Sequence, residues 1–192
     1  MSLKEIEALT GSRTISQLDQ FAPRYDVAAR HETKVYAPAK NVYAAIRTLD
    51  LSRSAIVRTL FRLRGMPLEC LTLDGLLKTG FVLLEEVPDR ELVLGLVGRF
   101  WSLSGELQTV DANSFRSFDR EGYAKAVWNF SLEPLGEHVT RLTTETRVIC
   151  LDSASRRSFK FYWSFIEPFS GLVRKEALRS IKQAAEQTSN YP

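Results

Sequence analysis

Cysteine, methionine and histidine are all scarce in this chain, two of each among 192 residues. Cys70 and Cys150 stand far apart and in no CxxC arrangement. Two lone thiols in a chain this long fit a reducing compartment, where they act as small buried hydrophobes. No His/Cys cluster has zinc spacing, and His31-Glu32-Thr33-Lys34-Val35 is not HExxH, because Val35 stands at the second ligand position and the segment reads as a strand. Gly95-Leu-Val-Gly98 lacks a third glycine, a following helix and a lysine, so it is no phosphate cradle. Long apolar runs are missing too. The longest, LVLGLVG at 92–98, falls far short of the ~20 residues that span a bilayer, and MSLKEIEALTGSR has no apolar stretch of the kind a secretory signal needs. A net charge of +3 is too small for the clustered basic footprint of a nucleic-acid binder. There is no repeat and no linker. The expectation is a soluble, cytoplasmic protein without metal or cofactor: an arm at 1–24, one domain over 25–187 and a tail at 188–192.

What is present is periodicity. Leu3, Ile6 and Leu9 have helical spacing before Gly11. Over 26–36, Arg30, Glu32 and Lys34 alternate with Val27, Ala29, His31, Thr33 and Val35, which predicts a strand with one wet face. Pro38 opens a helix with Val42, Tyr43 and Ile46 inward. A second helix at about 53–64 sets Ile56, Val57, Leu60, Phe61 and Leu63 against Arg53, Arg58, Arg62 and Arg64, with Gly65 and Pro67 ending it. Residues 68–79 fit a strand start or a helical turn. Then come strands at 81–87 and 91–101 around Pro88-Asp89-Arg90, a third at 102–110, a capped helix in 111–119, and two long strands at 123–135 and 138–151. On the last of these Arg141, Glu145 and Arg147 are expected outside, with Leu142, Thr144, Thr146, Val148 and Cys150 inside. Asp152 or Ser153 caps a helix to about 187, which Pro168 should interrupt and kink. Its first half, with Phe159, Phe161, Tyr162, Trp163, Phe165 and Phe169, reads as enclosed on all sides; its second half reads as amphipathic, with Arg174, Lys175, Arg179 and Lys182 on a wet face.

The segments RHETKVYAPAKNVYAAIRTLD (30–50), with Val42, Tyr43 and Ile46 in a V-[YWF]-x-x-[IL] pattern, and WNFSLEPLGEHVTRLTTETRV (128–148), followed at once by a long helix, resemble the START-like, polyketide-cyclase-like superfamily. The resemblance covers about 25–187. GRFW (98–101), TETRV (144–148) and FYWSFIEPFSGLVR (161–174) resemble a subgroup without a known activity. It implies a helix-grip α+β fold: a curved antiparallel sheet around a long C-terminal helix, with two short helices after the first strand. Members include lipid carriers, metabolite binders, cyclases and co-chaperones, so the resemblance speaks to fold and not to activity.

No motif forces catalysis. Glu85 and Glu86 are neighbours on a strand and face opposite ways, so they are no acid–base pair. His138 falls at a hairpin turn, leaving His31 as the inward histidine. The leading reading is binding, and carriage, of a small hydrophobic molecule such as a lipid, isoprenoid or polyketide-like compound. Trp101, Trp128, Tyr162, Phe165 and Phe169 would be the walls and His31, Thr144 and Thr146 the polar anchors. A second reading is a cofactor-free cyclase or dehydratase in which His31, Thr144, Thr146 and Tyr162 orient substrate and move a proton. A third is a protein-interaction or co-chaperone module. Arg53, Arg58 and Arg62 are either a solvated face or a surface for transient docking on anionic membrane.

Overall fold

The alternation read over 26–36 becomes the edge strand β1 (Val27–Val35), in which every second side chain is exposed until Val35 closes it in the core. In the computed structural model, which describes residues 16–63, 68–102 and 104–189, a short helix α1 (Leu18–Phe21) precedes β1. After β1 come α2 (Ala39–Arg47), α3 (Ala55–Leu63), a 3-10 turn (Leu68–Leu71) and α4 (Leu73–Lys78). Next are β2 (Val82–Val87), β3 (Glu91–Gly98), α5 (Ala112–Ser117), β4 (Ala124–Gly136), β5 (Val139–Cys150) and α6 (Ser153–Ser189). The expectations placed on Leu3, Ile6, Leu9 and Gly11, on Arg64, Gly65 and Pro67, and on the side chains of Leu63 and Cys70 lie outside the described residues.

Five antiparallel strands pair in the order β1-β5-β4-β3-β2, and α6 lies across one face of them. This is the expected α+β helix-grip arrangement. Turn chemistry sets the pairing. Pro88 begins the β2–β3 turn and Asp89 takes φ 60, a left-handed value that an aspartate tolerates better than most residues. Asp111 and Ser114 form a reciprocal capping box on α5. Asp152 starts α6 by accepting from the Ala154 and Ser155 backbone N–H groups; the Ser155 hydroxyl first, then the Ser155 and Gly122 backbone N–H groups, hold its carboxyl well below the usual carboxylate range.

The inner face of the sheet carries the main core: Leu92, Leu94, Phe130 and Leu142 pack against Val42 and Ile46 of α2, Val57 of α3, and Ala177, Leu178 and Ile181 of α6. A second core covers the outer face. Leu18, Phe21 and Ala22 from the N-terminal segment and Phe115 from α5 pack on Leu84, Val93, Val97 and Val127. This explains the unbroken apolar run of β3: both of its faces are covered. Gly95 is required there, since a Cβ would lie 2.8 Å from Leu84 and 2.9 Å from Phe115. Polar anchoring is equally specific: Ser16 Oγ, the Gln17 backbone N–H and Asn129 Nδ2 all donate to the buried Glu91 carboxylate.

Several expectations need correcting. Arg147 is not on a wet face; it is 8% exposed, because the N-terminal segment lies over it and supplies Asp19 (2.6 Å) and the Ala22 carbonyl (2.9 Å). The described residues of 102–110 make no strand beyond one bridge, Val97 to Gln108, since Gly105 and Glu106 turn left-handed at φ 69 and 40. Ile56 points out of α3, and among the described side chains of that helix only Val57 is fully buried. The helix expected to about 187 is present as α6 with Pro168 inside it at an exposed position. Its first half is not enclosed, and its second half is amphipathic as expected, with Leu178 and Ile181 buried and Lys175 and Arg179 exposed, except at Arg174. Phe161, Phe165 and Phe169 are 71%, 60% and 47% exposed, while Arg174 on the supposed wet face is 4% exposed.

Candidate functional site

The first half of α6 is fixed by one residue. Phe159 is buried among Phe100, Trp101, Tyr162 and Trp163, with ring centroids between 5.8 and 6.3 Å away, above Ala124, Val148 and Cys150 of the sheet. Cys150 belongs to this floor; burial, with Asp26 beside it, pushes its thiol up to about 12, so it is a packing residue and no nucleophile. Phe161 and Phe165 are one turn apart, meet edge to face at 5.1 Å, and stay largely in solvent. Between this face and the loop after β3 runs a groove of about 350 Å³, lined by Trp101, Ser158, Phe161, Tyr162, Phe165 and Ile166. Five side chains at i, i+3/i+4 spacing along one helix, closed by one tryptophan, make a predominantly apolar concavity.

The polar site lies further along the same helix. His31 of β1 is half-buried against α6 beside Gly171, and Thr144 is opposite it in the strand register. The Arg174 side chain leans back toward the helix N-terminus, as helical side chains do. Its Nη1 donates to Ser170 Oγ (2.8 Å) and its Nε to His31 Nδ1 (3.4 Å), and its guanidinium lies 5.9 Å from the centre of the Trp163 ring. Its Nη2 is buried and has no hydrogen-bond partner among the described residues. Burial lowers the Arg174 pKa, opposed by Glu167, but a guanidinium still carries its charge near neutrality. Burial, then Arg174, then Lys175, lowers the His31 pKa. The ring is therefore neutral at pH 7 and, accepting at Nδ1, keeps its proton on Nε2.

The residues predicted for one pocket fall into three places. Trp101, Tyr162 and Phe165 line the groove. Phe169 continues the exposed stripe one turn beyond it and is not part of its lining. Thr144 is buried in the core and Trp128 is half-buried against it, bonded to it: Trp128 Nε1 donates to Thr144 Oγ1 (2.6 Å), which donates to the Asn129 carbonyl (2.8 Å). Thr146, half-buried, is opposite Trp128 across β4–β5. His31 belongs with Arg174. Sequence reading missed Arg174, Ser170, Ser158, Phe161 and Ile166. A signal for Arg174 was present, because it shares a helical stripe with Ala177, Ile181 and Ala185, the buried positions of the second half.

Arg53, Arg58 and Arg62 are exposed, and Arg53 also borders a polar groove of about 640 Å³ between the α2–α3 turn and α6, with Asp50, Glu176 and Arg179. Among the described residues no group of three or more metal-ligating side chains occurs, and no helix is long and apolar enough to cross a membrane.

No family model matches the chain, and no curated protein matches it. Among solved structures it is similar to a conserved protein from Geobacillus kaustophilus, at 10% identity over 84% of this chain and 97% of that one, with a TM-score of 0.44. It is also similar to the Zhui aromatase/cyclase from Streptomyces sp. R1128 (13% identity, 86% and 96% covered, TM-score 0.34) and to a truncated norcoclaurine synthase from Thalictrum flavum (11%, 86% and 94%, 0.31). The function is therefore read from this chain's own side chains.

Proposed function

We propose that the protein binds a small apolar molecule, with its rings or chain laid along the first half of α6. The observation that carries this reading is the groove itself. Aromatic side chains that could have been turned into the core are held at a solvent-open concavity by the buried Phe159, and Trp101 closes it from the opposite loop. Exposed apolar side chains scattered singly need no explanation, but a contiguous aromatic concavity marks a contact surface. A lipid, an isoprenoid and a polyketide-like compound all offer the flat or flexible apolar surface such a wall accepts.

Binding is favoured over turnover by the state of the polar groups. The proton-moving set of His31, Thr144, Thr146 and Tyr162 is divided: the Thr144 hydroxyl is engaged as donor and acceptor within the core, while Tyr162 lines the groove. His31 sits beside the Arg174 cation.

A neutral aromatic probe, 2-acetonaphthone, tests the groove. Titrated into the full chain and followed by tryptophan emission, it should bind saturably, one per chain. Replacing Phe161 and Phe165 together with Ala should weaken it about tenfold, the scale of losing one aromatic wall. Ile56→Ser, on a distant exposed apolar residue, should leave it unchanged. Non-saturable uptake, or equal affinity in all three proteins, would sink the reading.

A further inference from the structure

We propose that Arg174 is an anion subsite, and that the molecule held in the groove is an acid whose carboxylate pairs with the free corner of this guanidinium. The inference rests on the groove reading above and names the chemical class of its ligand.

Arginine is almost never fully buried without a partner, and a charge taken from water without a counter-charge is among the most costly features a core can hold. Arg174 is 4% exposed and has no carboxylate within ion-pair distance among the described residues. Its nearest electrostatic opposite, Glu167, is an exposed residue two turns back on the same helix. Two of the three guanidinium nitrogens are held by neutral acceptors, Nε by His31 and Nη1 by Ser170; the third, Nη2, is buried and unpaired. The fork is thus fixed in orientation with one donor corner left over. A water molecule could accept from that corner, but it could not neutralise the charge. An anion does both.

The position of the cation suits a ligand in the groove. Ile166 of the groove lining, Ser170 and Arg174 follow one another at single-turn intervals along α6, about 6 Å apart. The guanidinium faces Trp163, which stacks on Phe159 (5.8 Å), and Phe159 in turn touches both Tyr162 and Trp101 of the groove. Ring contacts through the buried Phe159 therefore connect the wall of the groove to the cation. An amphiphile with its apolar part on Tyr162 and Ile166 carries its head group toward Ser170 and Arg174. One free guanidinium corner matches a singly charged, planar carboxylate; a phosphate dianion would need more donors than this corner supplies.

The test compares two probes of the same ring, 2-naphthoate and the neutral 2-acetonaphthone, by isothermal titration of the full chain at pH 7.5. Wild type should bind the acid at least about tenfold more tightly, as expected for a charge-assisted bond in a buried site. In Arg174→Met the preference should vanish, while ketone affinity stays within about twofold. Arg174→Lys, which keeps the charge without the fork, should fall between them. Equal affinities for the two probes in wild type overturn the anion subsite and leave the groove reading standing. So does a preference that persists in Arg174→Met. If neither probe binds, both proposals fail.

Discussion

The two halves of α6 are made from similar numbers of apolar residues and are used in opposite ways. In the C-terminal half Ala177, Leu178, Ile181 and Ala185 are buried between the sheet, α2 and α3, as part of the main core. In the N-terminal half only Ser155 and Phe159 reach that level of burial, and a stripe of Phe161, Phe165, Phe169 and Leu172 looks outward. The difference lies in what covers each half. The buried residues of the second half pack with Val42 and Ile46 of α2, Val57 of α3 and the inner face of the sheet, whereas Phe159 of the first half packs on Ala124, Val148 and Cys150 of the sheet and on Phe100 and Trp101 of the loop after β3. Large side chains on a helix signal burial only where some element exists to bury them. Where none does, the same residues become a contact surface.

The sharpest way to break this contrast is stability. Ile181→Ala should cost about 2–5 kcal/mol, the usual range for truncating a fully buried aliphatic side chain. Phe165→Ala removes a larger group but should cost less than about 0.5 kcal/mol, because that group is mostly in water already. Urea unfolding midpoints of the two variants, measured at equal slope, decide the matter. Losses of similar size would mean that the first half is also part of the fold's core.

A smaller effect is expected at the point where the halves meet. Arg174→Met keeps much of the side-chain volume and removes a charge whose burial no ion pair offsets. The variant should therefore be more stable than wild type by about 1 kcal/mol, a rise in Tm of about 2–4 °C for a chain of this size. Calorimetry of the full chain checks it. A fall in Tm would show that the bonds to His31 and Ser170 outweigh the desolvation of the cation, and that the residue belongs to the stabilising half of the helix.

Much of the fold could be read from the residues because local rules and packing agree. The alternation in β1, the Pro88-Asp89 turn, the Asp111 and Asp152 caps and the paired strands β4 and β5 all appear as expected. What could not be read depended on which element covers which. Nothing in the pattern of β5 says that residues 18–22 lie over Arg147, so its alternation predicts a wet face. Nothing local to Phe161 and Phe165 says that the sheet stops short of them. The candidate site is of this second kind. Trp101, Tyr162 and Phe165 are legible as candidates because aromatic residues suit a wall whether it is open or filled. Arg174 was missed because a run of Arg174, Lys175, Arg179 and Lys182 looks solvated until the phase of Ala177, Ile181 and Ala185 is laid beside it.

The smallest effect concerns His31, which anchors Arg174 from the sheet side. Burial first, then Arg174, then Lys175, lower its pKa from the ordinary 6.5. The folded chain therefore takes up this proton less readily than the unfolded chain does. The stability linked to His31 is fully present above pH 6.5 and declines as pH falls below it toward the lowered folded value. His31→Gln, which can still accept from Arg174 but does not titrate, should flatten the pH dependence of the urea midpoint between about pH 7 and 5.5 while changing the value at pH 7.5 little. Paired with Arg174→Met, it tests the cause. Without the guanidinium, the wild-type histidine keeps the desolvation that lowers its pKa but loses the repulsion, so the slope in Arg174→Met should be shallower than in wild type and steeper than in His31→Gln. If all three slopes coincide, His31 does not sense the cation, and the contact between β1 and the junction of the two helix halves is packing alone.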